Sequence, residues 1–259
     1  MGPPECYEAL FERAALATPS TLPRDAWYIV VAATLITADG GHHLGDLYQF
    51  ILKRLGGDDA PTAARDRVYH RLHTVVLKTW TLAGMPRASD GLFSLLRVDR
   101  PPKTMGQSLP GLMSQPEAVM ARTDVWWNFV FGQETSAAIR QSYADVPDFC
   151  ECSPLMTCFD PWLQRSSQSP AWTVDFVVYG LYLAELTALD RVENELLILA
   201  TVMGQGAHRT TLVHLRAAGR IGISTRDVEG VQNVVEMVAK HLGKDTTSWP
   251  RVQQVEAEE

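Results

Sequence analysis

The sequence predicts an all-α protein, and three observations carry that expectation. Long segments place apolar residues at a spacing of three and four, between glycine and proline punctuation. Clean period-two alternation, the mark of a half-buried strand, is scarce. Two stretches of about thirty residues, 26–56 and 192–222, repeat one pattern of a near-continuous apolar helix, a glycine turn and an amphipathic helix.

The elements follow in chain order. Residues 5–17 read as a short helix, stopped by Thr18-Pro19 and Pro23. Residues 24–38 are almost wholly apolar, which suits a strand or a buried helix. Fifteen residues without a breaker is long for a strand. After Gly40-Gly41, residues 43–55 set Leu44, Leu47, Tyr48, Ile51, Leu52 and Leu55 at helical spacing. Residues 62–83 read as a helix with Val68, Leu72, Val75, Val76, Thr79 and Leu82 on one face, stopped at Gly84-Met85-Pro86. From Arg97 to Pro116 the pattern lapses among prolines. Helical spacing resumes over 117–143, and a second irregular stretch runs from Ala144 to Pro170. Four helices are expected after it, over 171–188, 190–203, 208–219 and 225–242, with a polar, frayed tail beyond Gly243. The domain plan is therefore a first helical unit over 1–96, a Pro-rich connection with one helix over 97–170, a second helical unit over 171–243, and a tail over 244–259.

Composition narrows the function classes. Of 259 residues, 46% are hydrophobic and 20% charged, which excludes wholesale disorder, collagen and coiled coil. The net charge is −7 with no basic face, so no nucleic-acid partner is expected. No apolar run approaches the roughly 18 residues of a membrane span. Acidic residues stand where a signal peptide would carry basic ones, and four cysteines are too few for a disulfide framework. A reducing, cytoplasmic setting is expected.

In the repeat, Ala33-Thr34 falls on Ala200-Thr201. After a two-residue slip, Gly41, His43 and Leu47 fall on Gly206, His208 and Leu212. The second copy holds the chemistry. Glu195 sits in the apolar run of its helix, where a carboxylate is expensive to bury without a partner. His208 and His214 lie six apart on the next helix, with Arg209, Arg216 and Arg220. An imidazole titrates near neutral pH and suits proton transfer, and a helix opening on Gly-Gln-Gly favours an anion.

Residues 190–243 resemble the core of the carboxymuconolactone decarboxylase and AhpD-like family. The resemblance rests on Glu195 and His214, nineteen residues apart, and on Leu215-Arg216-Ala217-Ala218 running through Ile223-Ser224 to Asp227. It implies an all-α, AhpD-like fold of duplicated helical units, assembled as a dimer, trimer or hexamer. It also implies cofactor-independent lyase or isomerase chemistry on a small oxygenated, cyclic or polyketide-like acid, with neither metal nor redox cofactor. His214 would be the general acid and base, and Glu195 would orient it or relay a proton. His208 or Arg209 would hold an oxyanion, with Thr210, Trp127 and Tyr28 lining the substrate pocket. A place in specialised metabolism is a hypothesis that the partly replaced motif suggests.

The departures from the family pattern are specific. Peroxidase-type members carry Cys-x-x-Cys where Ala207 and Thr210 stand, so no dithiol cycle is expected there. Decarboxylase-type members often place a Glu at Thr210. In the first copy, Tyr28 and Gln49 occupy the positions of Glu195 and His214, so that copy is expected to be structural or to supply a pocket wall. Two other readings stand beside the enzyme: a non-catalytic scaffold or binding protein, and a thiol peroxidase using Cys150, Cys152 and Cys158. The pairs His42-His43 and His70-x-x-His73 are metal-capable, but no carboxylate at matching spacing completes a site.

Overall fold

The structure is a computed structural model that describes residues 6–102, 115–144 and 172–256. Among these residues every regular element is a helix and no strand occurs. The chain divides into two compact units, one of Met1–Gly106 with Leu186–Glu259, the other Gln107–Glu185. These borders differ from the expected ones at 96/97 and 170/171. Residues 171–185 group with the middle of the chain rather than with the second copy of the repeat.

The first unit opens with α1 (Tyr7–Ala17), which buries Leu10, Phe11 and Ala14 at helical spacing. The apolar run becomes helix α2 (Ala26–Thr37), buried on nearly every side. Its two threonines are satisfied locally, with the Thr34 and Thr37 hydroxyls donating to the carbonyls of Val30 and Ala33, each 2.8 Å away. A single turn at Gly41–His43 leads into α3 (Leu44–Arg54), which turns Leu44, Leu47, Tyr48, Ile51 and Leu52 inward as the spacing required. Next comes α4 (Thr62–Ala83), matching its expected bounds.

Three differences from the expected elements have physical reasons. Gly84 stops α4, but Pro86 at the first helical turn starts α5 (Met85–Val98) at once. A proline can begin a helix because its missing N–H would be unpaired there anyway. The helix expected over 117–143 is two, α6 (Pro116–Phe131) and α7 (Gln133–Ala144). They part at Gly132, whose φ of 78° lies outside the helical range. The tail also differs, since residues 244–256 are docked. Trp249 is buried, and α12 (Val252–Glu256) buries Val252 and Val255.

The second unit contains α6, α7 and α8 (Thr173–Leu183), a helix of π type. Its core is Val119 with Phe176 and Leu181. Back in the first unit, α9 (Arg191–Gly204), α10 (His208–Arg220) and α11 (Thr225–His241) complete the repeat. At the centre α2 packs along α9, and α4 and α11 each pack against both. The helices α2 and α3 and the helices α9 and α10 are the elements formed by the two stretches that the sequence pairs, followed by α4 and by α11. Thr201 copies its counterpart Thr34, donating to the carbonyl four residues back at 2.7 Å. The central helices approach closely where Gly204 faces Thr37, since a Cβ on Gly204 would stand 2.1 Å from the Thr37 hydroxyl oxygen.

Candidate functional site

The first turn of α9 carries an unusual load of polarity for a core helix. Asp190 caps it, accepting from the Glu193 amide at 2.9 Å, while the Glu193 carboxylate accepts from the Asp190 amide at 3.1 Å. This is a reciprocal capping box. Three consecutive polar residues, Glu193, Asn194 and Glu195, are then buried. Successive residues on a helix point about 100° apart, so each meets a different neighbour. Glu193 accepts a hydrogen bond from Arg71 of α4, Asn194 accepts one from Lys78 of the same helix, and Glu195 meets His214 of α10.

The Glu195–His214 pair is the candidate catalytic element. His214 Nδ1 stands 2.7 Å from Glu195 Oε1, with His214 3% exposed and Glu195 not exposed at all. A carboxylate only accepts, so Nδ1 carries the proton in this bond when Glu195 is ionised. Nε2 is then the basic nitrogen. Glu195 Oε2 is buried without a hydrogen-bond partner. An acid bonded to one imidazole nitrogen fixes the ring's tautomer and stabilises its charged form, as a general base requires.

The other expected site residues lie elsewhere. His208, Arg209 and Thr210 form the exposed first turn of α10, so none of the three shares the buried environment of the pair. Tyr28 is buried in α2 and accepts a hydrogen bond from Arg71 Nε at 2.6 Å. Burial holds the Tyr28 phenol far above its ordinary pKa, against the pull of the Arg71 charge. Trp127 belongs to the other unit, where it packs in the core between Phe131 and Tyr179, ring centroids 4.7 and 4.8 Å away. The cysteines Cys150, Cys152 and Cys158 lie outside the described residues. Of the metal-capable pairs, His43 bonds Asp46 at 2.7 Å and His73 stacks on Tyr69. Among the described residues no group of three or more His, Cys, Asp or Glu side chains could hold a metal ion.

Sequence reasoning missed Arg71, Lys78, Glu193 and Asn194. A signal was present. Arg71 and Lys78 sit seven apart on the stripe of α4 that buries Leu72, Val75 and Val76, and Glu-Asn-Glu opens an apolar helix. Buried charges come in pairs, so two cations on one buried stripe required polar partners on another helix. Arg71 also donates to the Ala188 carbonyl at 3.0 Å, which ties the segment before α9 to α4. Burial alone would lower the Arg71 pKa, but the Glu193 hydrogen bond and the neighbouring Tyr28 and Glu193 raise it, so its charge is permanent.

Two clefts are described in the first unit, and neither is lined by Glu195 or His214. No helix among the described residues is long and apolar enough to cross a membrane.

No family model matches the chain, and no solved structure matches it. It is similar to Peroxisomal protein 2 of Saccharomyces cerevisiae, with 21% identity over 282 residues, covering 87% of this chain and 90% of that protein.

Proposed function

We propose that the chain is a cofactor-independent acid/base enzyme of the carboxymuconolactone-decarboxylase-like kind, acting as a lyase or isomerase on a small oxygenated acid. The single observation that supports this reading is the buried 2.7 Å contact between His214 Nδ1 and Glu195 Oε1, the two residues that carry the family resemblance. In this reading His214 Nε2 exchanges a proton with the substrate, and Glu195 holds the ring and balances its charge. A decarboxylation would leave electron density in a carbonyl conjugated to the departing carboxylate, and protonated His214 would return a proton to carbon. An isomerisation would use the same two proton movements with no loss of carbon dioxide.

The test is turnover by the purified chain against γ-carboxylactones and β-keto acids, read as carbon dioxide release and as deuterium uptake in heavy water. His214→Gln should lower the rate by about a hundredfold to ten-thousandfold while the near-ultraviolet circular dichroism is kept. An unchanged rate in that variant, or no reaction by the parent chain on either class, overturns the reading.

A second reading is a non-catalytic scaffold or binding protein. The completeness of burial at the pair favours it. Glu195 and His214 would then be a structural tie between α9 and α10. A homo-oligomer remains part of the proposal, to be read by light scattering. The compartment proposed from composition is the cytoplasm, and the name of the yeast relative supplies the peroxisome as the alternative. Fluorescence microscopy of a chain tagged at an internal loop separates the two.

A further inference from the structure

The larger of the two described clefts, about 900 Å³, lies where the N-terminal ends of α2 and α9 come beside α4. Its lining holds four arginines, Arg24, Arg54, Arg67 and Arg71, against three carboxylates, in a chain whose net charge is −7. The carboxylates are all engaged. Asp25 pairs with Arg67 at 2.7 Å, Glu193 pairs with Arg71, and Asp190 accepts the capping bond of α9. Arg54 is paired as well, with Glu12 outside the lining at 3.0 Å, which leaves Arg24 as the cation in surplus. Arg24 is exposed and has no partner among the described residues. Arg71 is 5% exposed, and its bonds to Tyr28, Ala188 and Glu193 use three of its five N–H groups. Two donors therefore remain on a buried cation that lines the cleft.

The geometry also supplies a flat apolar wall. Trp27 is partly buried in the lining, with the Arg54 guanidinium 5.7 Å from its ring centroid. The volume is in the range of small-molecule sites, roughly 300–1,000 Å³. Asp25 makes no side-chain bond to the first turn of α2, whose Ala26 amide donates to the Pro23 carbonyl at 2.9 Å, and the helix end carries the positive field of its dipole.

We propose that this cleft binds an organic oxyanion, a carboxylate or phosphate ester with a flat apolar body. Arg24 and Arg71 meet the oxyanion and Trp27 meets the body. The site is distinct from the Glu195–His214 pair. Glu193 lines it, while Glu195, two positions on and about 200° around the helix, turns away toward α10.

Isothermal titration calorimetry of the full chain tests this with four probes: benzoate, phenyl phosphate, inorganic phosphate and benzyl alcohol. Benzoate or phenyl phosphate should bind at least about tenfold more tightly than benzyl alcohol, and the stronger of the two names the oxyanion. Arg24→Gln should weaken that binding by about tenfold. Trp27→Ala should weaken the aromatic anions and leave inorganic phosphate unchanged. His214→Gln should bind as the parent does. The proposal is overturned if neither aromatic anion exceeds benzyl alcohol, or if the Arg24→Gln, Arg54→Gln double variant binds as the parent. It is equally overturned if binding disappears in His214→Gln, which would put the ligand at the pair.

Discussion

At the scale of single residues, stability rests on buried charges that are individually costly and jointly satisfied. Removing one partner of a buried ion pair costs about 3–5 kcal/mol, because the other is left desolvated. Arg71→Met should therefore lower the unfolding free energy in urea by about that amount. Restoring neutrality with Arg71→Met, Glu193→Met should recover much of it, since packed apolar groups replace the pair without a stranded charge. A double variant no better than the single one would mean that Arg71 acts through Tyr28 and the Ala188 carbonyl instead. His73 offers a pH signature. Burial, with help from His70, lowers its pKa in the folded chain, so folding favours the neutral ring. The unfolded chain takes up the proton first, below about pH 6.5. Stability from this group is thus fully present above that pH and falls as the solution is acidified toward the lower folded pKa. Urea midpoints measured from pH 7.5 to 5 should show a shallower acid limb in His73→Gln than in the parent.

At the scale of elements, the α2–α9 crossing and the α9 cap are the sensitive joints. A methyl added at Gly204 would lie 2.1 Å from the Thr37 hydroxyl, which is itself anchored to Ala33. Overpacking of this kind costs about 1–3 kcal/mol. Gly204→Ala should lower the melting temperature, and adding Thr37→Ala should restore most of the loss by opening the space. If the second change restores nothing, the glycine is needed for something other than the close approach. Asp190→Ala removes the capping box and should cost about 1–2 kcal/mol. The helices themselves were legible as elements because periodicity and breakers are local. Thr62–Ala83 was readable from its stripe and its Pro61 and Gly84 borders. The break at Gly132 was not, because a glycine inside a periodic run says only that a turn is permitted.

At the scale of the whole molecule, the first unit is built from two separated pieces of chain, Met1–Gly106 and Leu186–Glu259. Each piece contributes one almost fully buried helix, α2 or α9, whose natural cover is the other. Neither piece can bury its central helix alone. Fragments 1–106 and 186–259 produced separately should show weak helical circular dichroism, and co-expressed they should purify together as a helical complex. Independent folding of either fragment would mean that the repeat units are self-sufficient. The chain hides this arrangement, since 79 residues of another unit lie between the two pieces. For the same reason the border expected at 171 falls inside the stretch 107–185 that forms the other unit. The helix Thr173–Leu183 is apolar, and such a pattern does not say which core receives it.

The sequence by itself determined the helical class and most helix borders, and the family resemblance supplied the expectation that Glu195 meets His214. The class and the borders depend on local spacing, which a sequence displays directly. Only the tertiary structure decided that Tyr28 answers Arg71, that Lys78 answers Asn194, and that the tail docks through Trp249, Val252 and Val255. It alone gathered Arg24, Arg54, Arg67 and Arg71 around one cleft. Those partners are brought together by the packing of helices far apart in the chain, and residue spacing carries no record of which helix faces which.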